Sequence, residues 1–230
     1  MRNHILNLFV AVPLAGCGNA LTPAALEPAV SAPAPEAPTA PVTAVGGREL
    51  VNPDHTTMVL LYYDLAGLPV PIEQSLEDDM RVRMARPTDK PAQREVVRKE
   101  LEAGLAGVHG VGALRLSLHA NLSEYDATYG EFTVRALAPS SVVEFQAMGQ
   151  TVQLRFGNAR TAQVWKVPAG EAQGVRDRVG FSGDVSVDAL LKIRDVHAAP
   201  KGGAITVDVI EYELRENRGG TLLGRVQLAR

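Results

Sequence analysis

The sequence predicts an α+β fold in which N-terminal helices pack on a mostly antiparallel β-sheet. Three observations lead there. Apolar residues between 58 and 105 recur every three or four positions. From Ala113 onward they recur every second position. Short glycine-containing turns separate the alternating runs.

The first helix is expected to begin with Asn52 as N-cap and Pro53 in its first turn. Met58, Leu61, Tyr62 and Leu65 then share one helical face, and Gly67 and Pro69 stop it. A second helix is predicted over 71–84, where Ile72, Leu76, Met80 and Met84 are spaced by four. A third begins at Asp89 and runs through Val97, Leu101 and Leu105 to Gly107 and Gly110. Leu114, Leu116 and Leu118 alternate with Arg115, Ser117 and His119, the pattern of a strand with one buried face. Phe132, Val134 and Ala136 predict another strand. Val143 and Phe145 are followed by Val152, Leu154 and Phe156, with Met148-Gly149 as the hairpin turn between the two runs. A short strand is expected over 161–167 and a brief helix over 169–179. The last part reads as a three-strand meander, with turns at Pro200–Gly203 and Asn217–Gly220. In its middle strand the phase slips from Ile205, Val207 and Val209 to Ile210, Tyr212 and Leu214, which predicts a bulge near Val209.

The first residues carry a different message. Arg2 precedes an apolar stretch from Ile5 to Leu14, too short to span a bilayer, and Leu14-Ala15-Gly16-Cys17 follows. This tetrapeptide resembles the lipobox of bacterial lipoproteins. The resemblance implies cleavage before Cys17, a diacylglycerol on its sulfur and a further acyl chain, such as palmitate, on the new amino terminus. Two or three chains, at about 0.8 kcal/mol per buried methylene, give stable anchoring where one does not. Cys17 is the only cysteine, so lipidation leaves neither a disulfide nor a catalytic thiol. Gly18 stands where an inner-membrane lipoprotein would carry Asp, which favours the outer membrane in a two-membrane bacterium.

Residues 1–16 are thus expected to be a signal peptide, and 17–47 a lipidated cysteine followed by an Ala/Pro-rich tether without packed structure. A single α+β domain is expected over 48–230. At about 3.1 Å per residue, a proline-rich spacer of this length reaches at most roughly 90 Å. The stretch Tyr62-Tyr63-Asp64-Leu65-Ala66-Gly67-Leu68-Pro69, with the charged helix and strand-rich tail after it, resembles an uncharacterised family of exported proteobacterial proteins. No activity is implied by that resemblance.

The formal net charge of −3 leaves no basic excess for a polyphosphate backbone, so nucleic acid is not an expected partner. No H-x-H, H-E-x-x-H, G-x-S-x-G, S-x-x-K or P-loop pattern occurs, and the glycines of 104–112 lack dinucleotide spacing. No metal, cofactor or catalytic residue is therefore assigned. Trp165 is the sole tryptophan, which argues against an aromatic platform for sugars.

Two surfaces remain. One is the basic run after Glu73, Glu77, Asp78 and Asp79, in which Arg81, Arg83, Arg94 and Arg98 are candidate interaction residues. Pairs such as Glu77–Arg81 and Glu95–Lys99 would support that helical face at i, i+4. The other is the polar strand face carrying Arg115 and His119. The expectation is an exported, lipid-anchored envelope protein acting as a non-enzymatic interaction module. Its partners would be membrane lipid through acylated Cys17 and an envelope protein. A tethered hydrolase with a site drawn from distant residues, or a carrier of small ligands or lipids, are the alternatives.

Overall fold

A computed structural model describes residues 47–228. Cys17, the signal segment and all of the tether but its last residue, Gly47, lie outside them. The chain runs β1 (Arg48–Val51), α1 (His55–Ala66), α2 (Ile72–Asp78), α3 (Met80–Met84), α4 (Lys90–Val108) and β2 (Val111–Asn121). It continues with β3 (Glu131–Thr133), a 3-10 turn (Arg135–Leu137), β4 (Val142–Ala147), β5 (Gln150–Phe156), α5 (Ala159–Ala162) and β6 (Val164–Lys166). It ends with α6 (Ala169–Val179), β7 (Asp184–Ala199), β8 (Gly202–Glu216) and β9 (Leu222–Gln227). The fold class is α+β as the pattern predicts, but the helices are not all N-terminal, since α5 and α6 fall among the later strands.

The main sheet has the order β1-β2-β7-β8-β5-β4, with β9 also on β8. It is mostly antiparallel; β1 on β2 and β5 on β8 are the parallel pairs. The C-terminal meander forms as expected, and so does the bulge: Leu190 faces Glu211 while Leu191 faces Val209, leaving Ile210 as the extra residue. The Met148-Gly149 turn closes the β4–β5 hairpin with both residues at positive φ, 53° and 68°, the requirement of a type I′ turn.

The free edge of β8 is shared by two strands. Residues 202–207 pair with β5 and residues 211–215 with β9. Asn158 fills the gap between them. Its side-chain amide donates to the Val209 carbonyl at 2.8 Å, and its oxygen accepts from the Val209 N–H at 2.9 Å. One side chain thus stands in for a missing strand residue.

One face of the sheet carries Leu114, Leu116, Val187, Ala189, Leu191, Val207 and Leu214, all buried in the main core. Helix α1 lies on this face over β4, β5, β7 and β8. Its residues Met58–Tyr63 are all buried, which is more than the single stripe the spacing predicts. The reason is that α4 covers its opposite side, so α1 is apolar all round. Helix α4 therefore packs on α1, and α2 and α3 pack on α4 and on each other instead of covering the sheet. Their small core is Leu76, Val82, Val97 and Leu101. The other part of the core face is closed by the β3–β6 ribbon, where Phe132 opposes Trp165 with ring centroids 5.6 Å apart.

Tyr62 ties α1 to the β7–β8 turn by donating to the Gly202 carbonyl at 2.6 Å. This approach needs the adjacent Gly203, since a Cβ there would stand 2.6 Å from the Tyr62 ring. Tyr212, on the same face, is buried and its hydroxyl finds no hydrogen-bond partner among the described residues.

Several local expectations are corrected. Asp54, not Asn52, caps α1, its carboxylate accepting from the Thr57 N–H at 2.7 Å. Pro53 consequently lies outside the helix. Asn52 takes a left-handed conformation, φ 44°, and turns its amide to the sheet. The helix predicted over 71–84 breaks at Asp79, which is extended and caps α3 by accepting from the Arg81 N–H at 2.8 Å. Competition between such a side chain and the helical ladder is the usual reason Asp ends and starts helices. The strand through Ala136 stops at Thr133, and the 3-10 turn follows. The strand predicted over 161–167 is a helical turn, α5, and then β6. Strand β1 carries no alternation signal in its four residues and pairs only because it lies beside β2.

Candidate interaction surfaces

The basic run folds into the helical layer and meets carboxylates there. Arg81 lies 3.1 Å from Asp79 and 2.7 Å from Glu100. Arg94 pairs with Glu73 at 2.9 Å and also with Glu77, Arg98 reaches Glu73 at 2.6 Å, and Lys90 reaches Glu77 at 3.3 Å. Glu95–Lys99 forms as an i, i+4 pair at 3.4 Å. Glu77–Arg81 does not appear among the ion pairs, because the break at Asp79 redirects Arg81 toward α4. The Glu100 and Asp79 carboxylates push the Arg81 pKa up, and Arg81 in turn holds Glu100 below its usual range. Arg83 is exposed and enters no ion pair among the described residues. This layer is thus a set of arginines stapling α2 and α3 to α4, with its positive charge largely answered from within. Exposed pairs of this type contribute at most about 1 kcal/mol each.

Arg115 and His119 lie on the other surface, the sheet face turned away from α1. Alternation along β2 puts them there with Ser117 and Asn121. Arg115 Nε lies 2.8 Å from Glu49 on β1, and His119 Nε2 lies 3.5 Å from Asp184 on β7. Between them runs a continuous polar chain. The Asn52 amide donates to Ser117 Oγ at 3.3 Å, and Ser117 Oγ donates to Asp188 at 2.5 Å. Arg215 Nε approaches Asp188 at 3.7 Å and its Nη2 donates to Glu213 at 2.6 Å. Arg225 Nε donates to Glu213 at 2.9 Å. The chain crosses from the end of β1 over β2, β7 and β8 to β9. The hydrogen bond from Arg225, helped by the weaker one from Arg215, holds the Glu213 carboxyl below its ordinary pKa against the opposing effect of burial. Asp184 is lowered by Ser182, Asn121, His119 and Arg218 in that order.

The two predicted groups therefore lie on separate surfaces. Arg81, Arg83, Arg94 and Arg98 belong to the helical layer, and Arg115 and His119 to the sheet face. Sequence alternation found Ser117 and His119 but not Asp188, Glu213, Arg215 or Arg225 as their continuation. Asp188 is brought to Ser117 by strand register across 71 residues, and Glu213, Arg215 and Arg225 follow through the pairing of β7 with β8 and of β8 with β9.

Two further histidines have side-chain partners. His55 Nδ1 accepts from the Gln146 N–H at 2.8 Å, covering an outward-facing donor on the edge strand β4. His109 Nδ1 lies 3.1 Å from Asp64. Among the described residues no group of three or more His, Cys, Asp or Glu side chains is placed to hold a metal ion. Among the same residues no helix is long and apolar enough to cross a membrane. Comparison of the chain with protein-family models, with curated proteins and with solved structures returns no match.

Proposed function

We propose that the chain is a lipid-anchored envelope protein, tethered through Cys17, whose domain works as a non-enzymatic interaction module. The contact surface in this reading is the polar sheet face around Arg115, Ser117 and His119. The observation that carries it is the side-chain chain from Asn52 to Arg225, which crosses the sheet on the face away from α1. Neighbours lock these groups before any partner arrives, so little side-chain entropy remains to be lost on contact. Alternating signs favour a partner of complementary polarity over a purely apolar one. The tetrapeptide Leu14–Cys17 supplies the anchor in the same reading.

The test is site-specific photocrosslinking in intact envelopes. A photoreactive residue at His119 should give one discrete adduct. The same residue at Glu102, on the exposed side of α4, should give none. Equal adducts from both positions, or none from His119, would overturn the choice of surface.

A further inference from the structure

Two sulfur atoms stand in water on the short helix α3. The chain has five methionines. Met58 is buried in the main core at 0% exposure, and Met148 is partly buried against both apolar clusters. Met80 and Met84, the first and last residues of α3, are 72% and 77% exposed.

Their outward aim is set from the other side of the helix. Val82, two residues from each, is 0% exposed in the small core with Leu76, Val97 and Leu101. Arg81 bridges Asp79 and Glu100 and so ties α3 to α4. Residues i and i+4 share one face of an α-helix, so with Val82 turned inward both thioethers face solvent.

Burial does not account for side chains left mostly in water. Hydrogen bonding does not either, since a thioether is only a weak acceptor. What the pair offers to solvent is a polarizable sulfur lone pair, and sulfur in this setting reacts with two-electron oxidants. The other exposed large apolar side chains are valine, leucine, tyrosine and phenylalanine, which carry no sulfur.

We propose that Met80 and Met84 form a reversible oxidation site, each taking one oxygen atom from a peroxide. With hydrogen peroxide, the sulfur lone pair attacks one oxygen, and the S–O bond forms as the O–O bond breaks. The displaced oxygen takes the proton of the transferred one and leaves as water. Sulfur is oxidised by two electrons and the peroxide is reduced by two. A dithiol acting through a methionine sulfoxide reductase reverses the step: the oxygen leaves as water and the two thiols become a disulfide.

Position makes the change harmless to the fold. A sulfoxide at Met58 would put a polar oxygen into the core, where an acceptor without a partner is costly. At Met80 and Met84 the new oxygen meets water, and the exposed Arg83 between them in sequence is a donor within the same helix. The outer face of α3 thus turns from apolar to polar while Val82 and Arg81 keep their contacts. This inference rests neither on the anchor nor on the polar sheet face.

The test is peptide mapping of the full-length chain carrying Cys17→Ser after timed exposure to millimolar hydrogen peroxide. Met80 and Met84 should oxidise within about tenfold of the rate of a free methionine peptide. Met58 should react at least about a hundredfold more slowly than they do, because only opening of the core exposes it. The oxidised chain should elute earlier from a hydrophobic column, and its melting temperature should fall by less than about 5 °C. Methionine sulfoxide reductase with dithiothreitol should restore both the sulfurs and the retention. The double change Met80→Leu and Met84→Leu should abolish the peroxide-dependent shift in elution, whereas Met58→Leu should leave it in place. Oxidation of Met80 or Met84 outside that tenfold range, a larger fall in melting temperature, or sulfoxides that resist the reductase would overturn the proposal. So would a shift in elution that survives the double change.

Discussion

Replacing Asn158 with Ala tests how the divided edge of β8 is held. The side chain makes two hydrogen bonds, of 2.8 and 2.9 Å, to the carbonyl and N–H of Val209, a residue only 1% exposed. Alanine leaves both backbone groups without a protein partner. An unsatisfied buried polar group costs about 1–3 kcal/mol. Asn158 is itself only part-buried, so water entering the gap offsets some of that cost. A loss of about 2–4 kcal/mol is expected, which for a domain of this size lowers the melting temperature by very roughly 4–16 °C. Asn158→Asp separates the two bonds, because a carboxylate accepts from the Val209 N–H but faces the Val209 carbonyl without a donor. It should cost at least as much as the alanine change. The assays are urea unfolding and amide hydrogen exchange, with Val209 losing protection ahead of its neighbours on β8. A change below about 0.5 kcal/mol with Val209 protection unaltered would refute the bridging role.

Two buried tyrosines should respond in opposite directions to loss of the hydroxyl. Tyr212→Phe removes a group with no described partner and should leave stability unchanged or raise it by about 1 kcal/mol. Tyr62→Phe strands the Gly202 carbonyl and should cost about 1–3 kcal/mol in the same unfolding assay. His55→Ala should speed exchange of the Gln146 amide while leaving the centre of the sheet protected; unchanged exchange would show that the cap is idle. The Glu213 carboxyl has a lowered folded-state pKa, so its contribution is complete above the ordinary carboxylate value of about 4.3 and is lost as pH falls through the folded value. Glu213→Gln should accordingly flatten the acid limb of the stability–pH curve below about pH 4.5 and leave its slope near neutrality unchanged.

Periodicity made the α+β class legible, because each long strand has one dry face and one wet one. The bulge at Ile210 was legible for the same reason, since a two-residue rhythm cannot change phase without an extra residue. What periodicity could not show is competition between neighbours. Asn52 and Asp54 both suit a cap, and only the pull of Ser117 on the Asn52 amide decides between them. Asp79 sits within a run spaced by four, yet its carboxylate caps the next turn and splits the helix. The apolar stripe on α1 foretold its contact with the sheet but not α4 on its back. As for function, β2 announced its own polar residues, while Asp188, Arg215 and Glu213 became their neighbours only through register.

The central claim is that this domain acts at the end of a lipid anchor. The most direct measurement is metabolic labelling with palmitate in the bacterial host, comparing the natural chain with Cys17→Ser, followed by membrane fractionation and mass analysis of the amino terminus. The account predicts label and membrane retention in the natural chain, an acylated Cys17 as its first residue, and loss of all three in the variant. An unlabelled natural chain that fractionates as soluble protein, or one whose amino terminus is still Met1, would contradict it.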